Sequence, residues 1–272
     1  MTRLGLSLAL IIGFSGLSGP VLAQAIGANA VVVNDVRIAT QAEPQVHQAR
    51  VRERISIGNP VHTGTASHVQ ILLLDGTTFQ IGANARLVID RFVYDASRSA
   101  SAVGAEVAQG SFRFVSGQPT HGRPGETAVR TPAASIGVRG TIFEGAVGQD
   151  AVNIARFEGG IPNLDGVDPQ TATLVVLRGP AAGPNGQRGG AIDVTAGGAT
   201  VPVESIGYAV FIPAAGARPI GPFLISDSGL AELATLLGDP RRGIVAPELD
   251  PLAVDPLILE DFDDRGYGNS YP

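Results

Sequence analysis

Val69-Gln70-Ile71-Leu72-Leu73-Leu74-Asp75-Gly76-Thr77-Thr78-Phe79-Gln80-Ile81 decides the fold class of this chain. Val69 to Leu74 is an apolar run of strand length, and Asp75-Gly76 is a turn pair that supplies a positive φ. Thr77, Phe79 and Ile81 then alternate onto one face, so the stretch reads as a β-hairpin with a half-buried second strand. Outward from it, Val31-Val32-Val33 leads into the turn pair Asn34-Asp35, and Ile55-Ser56-Ile57-Gly58 and Arg86 to Tyr94 read as strands. Residues 95–105 read as a surface loop, and Ser111 to Val115 as a strand with Phe112 and Phe114 facing together.

The block Thr127 to Phe143 extends the pattern. Ala128 to Thr131 is strand, Pro132 sets an edge or corner, and Ile136 to Phe143 resumes. Gly137 and Gly140 stand where a strand bends, bulges or admits another backbone. Strand-like pieces recur at 151–157, 171–178, 191–195, 200–203 and 207–212 without a fixed repeat length. One short helix is expected over about 228–238. Ser228 caps it, Leu230, Leu233, Leu236 and Leu237 form its stripe, and Gly238 and Pro240 end it. The expected fold is therefore all-β with one helix.

Composition removes much chemistry. The 272 residues are 44% hydrophobic and 16% charged, with 36 Gly and 19 Pro, a turn-rich balance that suits sheets. All 19 basic residues are Arg, so Schiff-base lysines and a P-loop lysine are excluded. The absence of cysteine excludes thiolate nucleophiles, thiolate metal sites and disulfides. A net charge of −6 argues against nucleic acid as a partner.

The chain opens Met1-Thr2-Arg3, runs apolar from Leu4 to Phe14 and exits through Val21-Leu22-Ala23 and Ala23-Gln24-Ala25. Residues 1–25 read as a cleaved secretory signal peptide, which places the mature protein in the periplasm or the exterior of a Gram-negative bacterium with no later membrane span. The final stretch, residues 245–272, holds seven acids and one Arg, so it carries the acidity of the chain and reads as a flexible tail able to dock on a partner. Between them lie a β domain over 28–145 and a β-rich extension packed on it over 146–244.

No catalytic, cofactor or metal site emerges. His47, His62, His68 and His121 are the histidines, and the six-residue spacing of His62 and His68 fits neither a helical nor a strand ligand pair. Neither G-x-S-x-G nor G-x-G-x-x-G occurs in the mature chain. Catalysis is not expected.

The order of signals from 58 to 143 resembles the FecR domain family. Its residues here are Gly58 through Thr63-Gly64 and Ser67, Leu74-Asp75-Gly76-Thr77, Ile81-Gly82-Ala83-Asn84-Ala85, Leu87-x-Ile89-Asp90 and Gly110-x-Phe112-Arg113. They close with Val129-Arg130-Thr131-Pro132-Ala133 and the most specific motif, Gly137-Val138-Arg139-Gly140-Thr141-x-Phe143. The resemblance implies a FecR-like β-sandwich or irregular β-roll. Gly64, Asp75, Gly76, Gly82, Thr131, Pro132, Gly137, Arg139, Gly140 and Thr141 are its signature residues, and each reads as structural. Arg139 is expected to be latched inside by Asp75, Asp90 or Glu126.

In regulators of that family the domain follows a cytoplasmic anti-sigma segment and a transmembrane helix. Here 57 residues precede Gly58 and the first 25 read as leader, so a stand-alone exported module is expected. The function expected is non-catalytic protein interaction or signal sensing in the periplasm, with another envelope protein as partner. A glycan-binding or scaffold protein of the cell envelope is the alternative, and an unrecognised hydrolase the second.

Overall fold

The computed structural model describes residues 24–40, 42–95, 100–117, 127–180 and 190–238. The leader before Gln24, His121, Glu126 and the acidic tail lie outside them. The first strands in chain order are β1 (Ala25–Val33), β2 (Val36–Ile38), β3 (His47–Gln48), β4 (Arg54–Ser56), β5 (Pro60–Thr63), β6 (His68–Leu73) and β7 (Thr78–Ile81). Next come β8 (Arg86–Asp95), β9 (Ala100–Val115), β10 (Ala128–Arg130), β11 (Ser135–Arg139) and β12 (Thr141–Val147), followed by helix α1 (Gln149–Ala155). The chain continues through β13 (Thr173–Pro180), β14 (Ala191–Ala196), β15 (Ala199–Val203), β16 (Tyr208–Ile212) and β17 (Ile220–Leu224) to helix α2 (Asp227–Leu236).

Two sheets share one strand. The first runs β4-β1-β6-β7-β9-β12-β13-β16-β17 and is antiparallel throughout. The second runs β3-β2-β5-β8-β9-β10-β11-β14-β15 and is antiparallel except at β9–β10. The N-terminal part of β9 lies between β8 and β10, and the part from Gly110 on lies between β7 and β12. Gly110, at φ +82°, marks the change of sheet, and a Cβ there would overlap Ala85. The position therefore needs glycine twice, for its conformation and for its space.

The main core fills the gap between the two sheets. Phe79, Phe114 and Phe143 stand abreast on β7, β9 and β12, with ring centroids 5.1 and 5.4 Å apart. Ile38, Leu87, Ile89, Val107 and Ile136 close over the same core from the second sheet. A second cluster lies on the outer face of the first sheet. There Ala146, Leu174, Val176 and Phe211 pack with Ala151 and Ile154 of α1 and with Leu233 of α2. The order of layers is helices, first sheet, second sheet.

The expected hairpin forms. The Leu73 amide donates to Thr77 O at 2.8 Å, the Gly76 amide to Leu73 O at 2.9 Å, and Gly76 takes φ +82°. Thr77, Phe79 and Ile81 are buried together. Three expectations are corrected. Residues 100–105 belong to β9, because Ser101, Ala102 and Val103 are buried where the ribbon closes the end of the sandwich. The piece 151–157, expected as strand, is instead the part of α1 through Ala155 and the turn after it, with Ala151, Val152, Ile154 and Ala155 on the buried side of the helix. The C-terminal helix begins at Asp227, and its cap is Ser226 rather than Ser228, whose neighbour Gly229 donates to Ser226 Oγ at 3.0 Å. The extension contributes an additional strand, β17, paired with β16.

Gly110→Ala is expected to lower the free energy of unfolding by about 3 kcal/mol or more, since left-handed strain and overlap add. Urea denaturation measures it, and Gly137→Ala is the comparison. A Cβ at Gly137 meets Asp193 only at 3.8 Å, an ordinary contact.

Candidate functional site

The signature residues do not converge on one cleft; several of them hold junctions between elements. Asp75 is buried in the β6–β7 turn, where its carboxylate accepts the Thr77 amide and hydroxyl at 2.9 Å each and the Ser101 hydroxyl. Asp75 thereby ties the turn to the start of β9. Gly64 donates to Asp35 O at 2.8 Å and accepts from the Asn84 amide at 3.1 Å. Its neighbour Thr63 donates to Gly82 O at 2.5 Å, so the turns after β5 and β7 are fastened together.

Thr131 opens the Thr131-Pro132-Ala133-Ala134 turn between β10 and β11. Its hydroxyl lies 2.9 Å from that of Thr173 and accepts the Ala134 amide at 3.1 Å. Gly140, at φ +54°, separates β11 from β12. The Thr141 amide, beside it, donates to Ser116 Oγ at 3.0 Å, and the Thr141 hydroxyl donates to Gly179 O.

Arg139 departs from its expected role. It is partly exposed and pairs with Asp193 at 3.2 Å and Glu204 at 3.4 Å, side chains of the C-terminal extension. Asp75 is taken by Thr77 and Ser101, and Asp90 by Arg130. An ion pair so exposed contributes little, because solvent screens both charges. His62 and His68 do not meet either. Partial burial and nearby Arg86 hold the His62 imidazole below its ordinary range, while His68 lies against Gly238.

The structure instead assembles a group of side chains that spacing does not reveal. On β9, β12 and β13, facing outward from the first sheet, Arg113, Glu144 and Arg178 are all more than nine-tenths buried. Arg113 Nε donates to Glu144 Oε1 at 2.7 Å, and Arg113 Nη1 donates to Gln80 Oε1 at 2.9 Å. Arg178 Nε lies 3.3 Å from Glu144 Oε2. Period-two alternation puts Arg113 on the face opposite Phe112 and Phe114, and a polar residue in that register reads as solvent-facing. The signal available in sequence is a charge flanked by large apolar residues in strands long enough to be central.

Gln80 carries the row to α2. Its Nε2 donates to Leu237 O at 2.8 Å, and the Ala83 amide donates to Leu236 O at 3.1 Å. Gly82 permits this approach, because a Cβ there would overlap Leu236 O and Ser111 Oγ. At the other end, Glu158 accepts the Ser226 amide and hydroxyl, each at 2.8 Å. Between these ends Asp150 of α1 faces Glu232 of α2. Burial, then the Glu232 carboxylate, push the Asp150 carboxyl above its ordinary range.

Two measurements follow from this arrangement. Glu144→Gln strands two buried guanidinium groups and is expected to cost about 3 kcal/mol of stability, against less than about 1 kcal/mol for Arg139→Ala. Chemical denaturation distinguishes them. A raised carboxyl binds more protons in the folded state, so its contribution to stability falls as pH rises through the shifted value. Asp150→Asn is therefore expected to raise Tm at about pH 7, with the gain vanishing below about pH 3, where the acid is protonated in both states.

The arrangement pairs its own buried charges and positions a helix, and among the described residues no three histidine, aspartate or glutamate side chains converge as a metal site would require. No described helix is long and apolar enough to cross a membrane. No curated protein matches the chain. Two crystal structures of a candidate anti-sigma factor from Parabacteroides distasonis are similar to it, both at 14% identity and a TM-score of 0.41. Each match covers 63% of this chain, and the chain spans 62% and 63% of theirs. Residues 59–161, from the start of β5 to the turn after α1, match the family model described as FecR protein.

Proposed function

We propose that this chain is an exported, non-catalytic module whose FecR domain serves protein interaction or signal sensing in the periplasm, with another envelope protein as its partner. The FecR match over 59–161 carries the reading. The internal use of several signature side chains supports it. Asp75, Thr131 and Thr141 are spent on hydrogen bonds within the fold and are not presented as a reacting constellation. The strands after 146 extend both sheets of the earlier part, so the two regions are proposed to act as one binding body.

Export is inferred from the leader. Cleavage after Ala23 leaves β1 whole, whereas cleavage after Ala25 removes its first residue, so Ala23 is the favoured site. The test is to express the full chain in a Gram-negative host, cross-link in the intact periplasm and identify products by mass spectrometry. The expected result is a mature N-terminus at Gln24 and a specific envelope protein joined to the chain. Retention of Met1, or no cross-linked protein above a control of equal charge, sinks the proposal.

A further inference from the structure

We propose that His47 and Glu53 form a proton-operated clasp: the imidazolium form of His47 fastens the margin of the second sheet to that of the first, and loss of its proton releases the segment 43–53. That the proton is the signal sensed rests on reading the chain as a sensing module; the clasp does not.

The position of the pair gives it leverage. His47 lies on β3, at the end of the second sheet, and Glu53 directly precedes β4, at the end of the first. β3 is held to β2 by the Arg37–Gln48 and Ile38–His47 pairs, and the Ala49 amide beyond it donates to Val36 O at 2.8 Å. The turn before β4 is tied to β1 instead. There the Arg52 amide donates to Asn29 O at 2.7 Å, and the Asn29 amide to Glu53 O at 3.0 Å. The His47–Glu53 contact joins these two attachments across the gap between the sheets.

The geometry of the contact calls for two protons on the ring. Nε2 lies 2.6 Å from Glu53 Oε1, and Nδ1 lies 3.0 Å from Gln45 O. A carboxylate and a carbonyl only accept, so both nitrogens must donate, which the ring does only as imidazolium. The other Glu53 oxygen accepts the Arg50 amide at 2.9 Å, a bond that favours the ionised carboxylate. The neutral ring has one N–H, and its remaining lone pair would face an oxygen. The His47 and Glu53 side chains are only 15% and 12% exposed, so water does not readily replace the lost bond.

The surrounding charges favour the same form. Glu43 stands 3.7 Å from Nδ1 and is itself paired with Arg50 at 3.0 Å. On β2, Arg37 turns to Asp35. β1 brings no titratable side chain, and Arg52 and Arg54, which flank Glu53 in the chain, are likewise engaged. The Gln45 carbonyl, then the Glu53 carboxylate, hold the His47 imidazole above its ordinary range. A histidine raised on folding stabilises fully below its ordinary pKa and loses that contribution as pH rises through the raised value. The clasp is therefore shut in mild acid and opens toward alkaline pH.

Two measurements on the full chain test the clasp. Titration of the His47 ring by NMR is expected to give a midpoint above the ordinary histidine value. Hydrogen exchange of the 47–53 amides, corrected for base catalysis, is expected to lose protection at least about fivefold between about pH 6 and about pH 9 with that same midpoint, while β12 and β13 keep theirs. Glu53→Gln keeps the ring and removes the carboxylate, so the midpoint is expected to fall and the step in exchange to shrink. Glu43→Gln, at a more exposed position, is expected to lower the midpoint less, and it serves as the second variant if Glu53→Gln does not fold.

A midpoint at or below the ordinary value, or protection of 47–53 that does not change with pH, overturns the clasp. Cross-linking in the intact periplasm at the two pH values tests the signal. Capture of an envelope protein that changes between them supports it. Equal capture at both overturns the proton as signal and leaves the clasp standing, whereas capture at neither defeats the interaction reading alone.

Discussion

One strand belongs to both sheets, and the rest of the architecture depends on its change of direction at Gly110. Before that residue β9 is flanked by β8 and β10; after it, by β7 and β12. A single covalent segment thus fixes where the two sheets stand relative to each other. It also fixes which side chains meet. Once Phe112 and Phe114 point into the sandwich, the pleat sends Arg113 to the opposite face, beside Glu144 on β12. The aromatic core and the buried ionic row are two sides of one register. Slipping β9 by one residue would put Arg113 among the phenylalanines and the phenylalanines beneath the helices.

The sequence was most legible where local chemistry and tertiary demand agree. Asp75-Gly76 marks a tight turn, and its alternating sequel is buried as expected. It was less legible where small residues are buried by distant partners. Ala100 to Ala105 resembles a loop in composition, yet Ser101 reaches Asp75 across the end of the sandwich. In the segment containing α1, the apolar positions 151, 152, 154 and 155 suit a helical face. Gly148 gives no side-chain cap, however, and seven residues leave little period to read. The strand β17 hides behind Gly221 and Pro222, residues that depress any strand reading.

The signature residues were legible as a set, and their roles only partly so. Positions that require a turn or a small side chain announce themselves through Gly, Asp and Pro. The partner of an arginine does not. Arg139 was expected to close on Asp75, Asp90 or Glu126, but Asp193 lies across the β11–β14 pair and Glu204 just beyond β15. Both acids come from the extension, and nothing local to residue 139 encodes that pairing. The same holds for Arg178, which follows Glu144 by more than thirty residues and reaches it only because β13 pairs with β12.

Two open sheets have four margins, and a margin is where unrelated molecules can zip together through bare backbone. The first sheet ends on β4, three residues long, and on β17, which contains Pro222. The second ends on β3, two residues long, and on β15, which contains Pro202. Short terminal strands offer few hydrogen bonds to a newcomer, and proline withholds a donor within each longer one. The chain can therefore present extensive β-structure at high local concentration while resisting the uncontrolled sheet growth that leads to fibres.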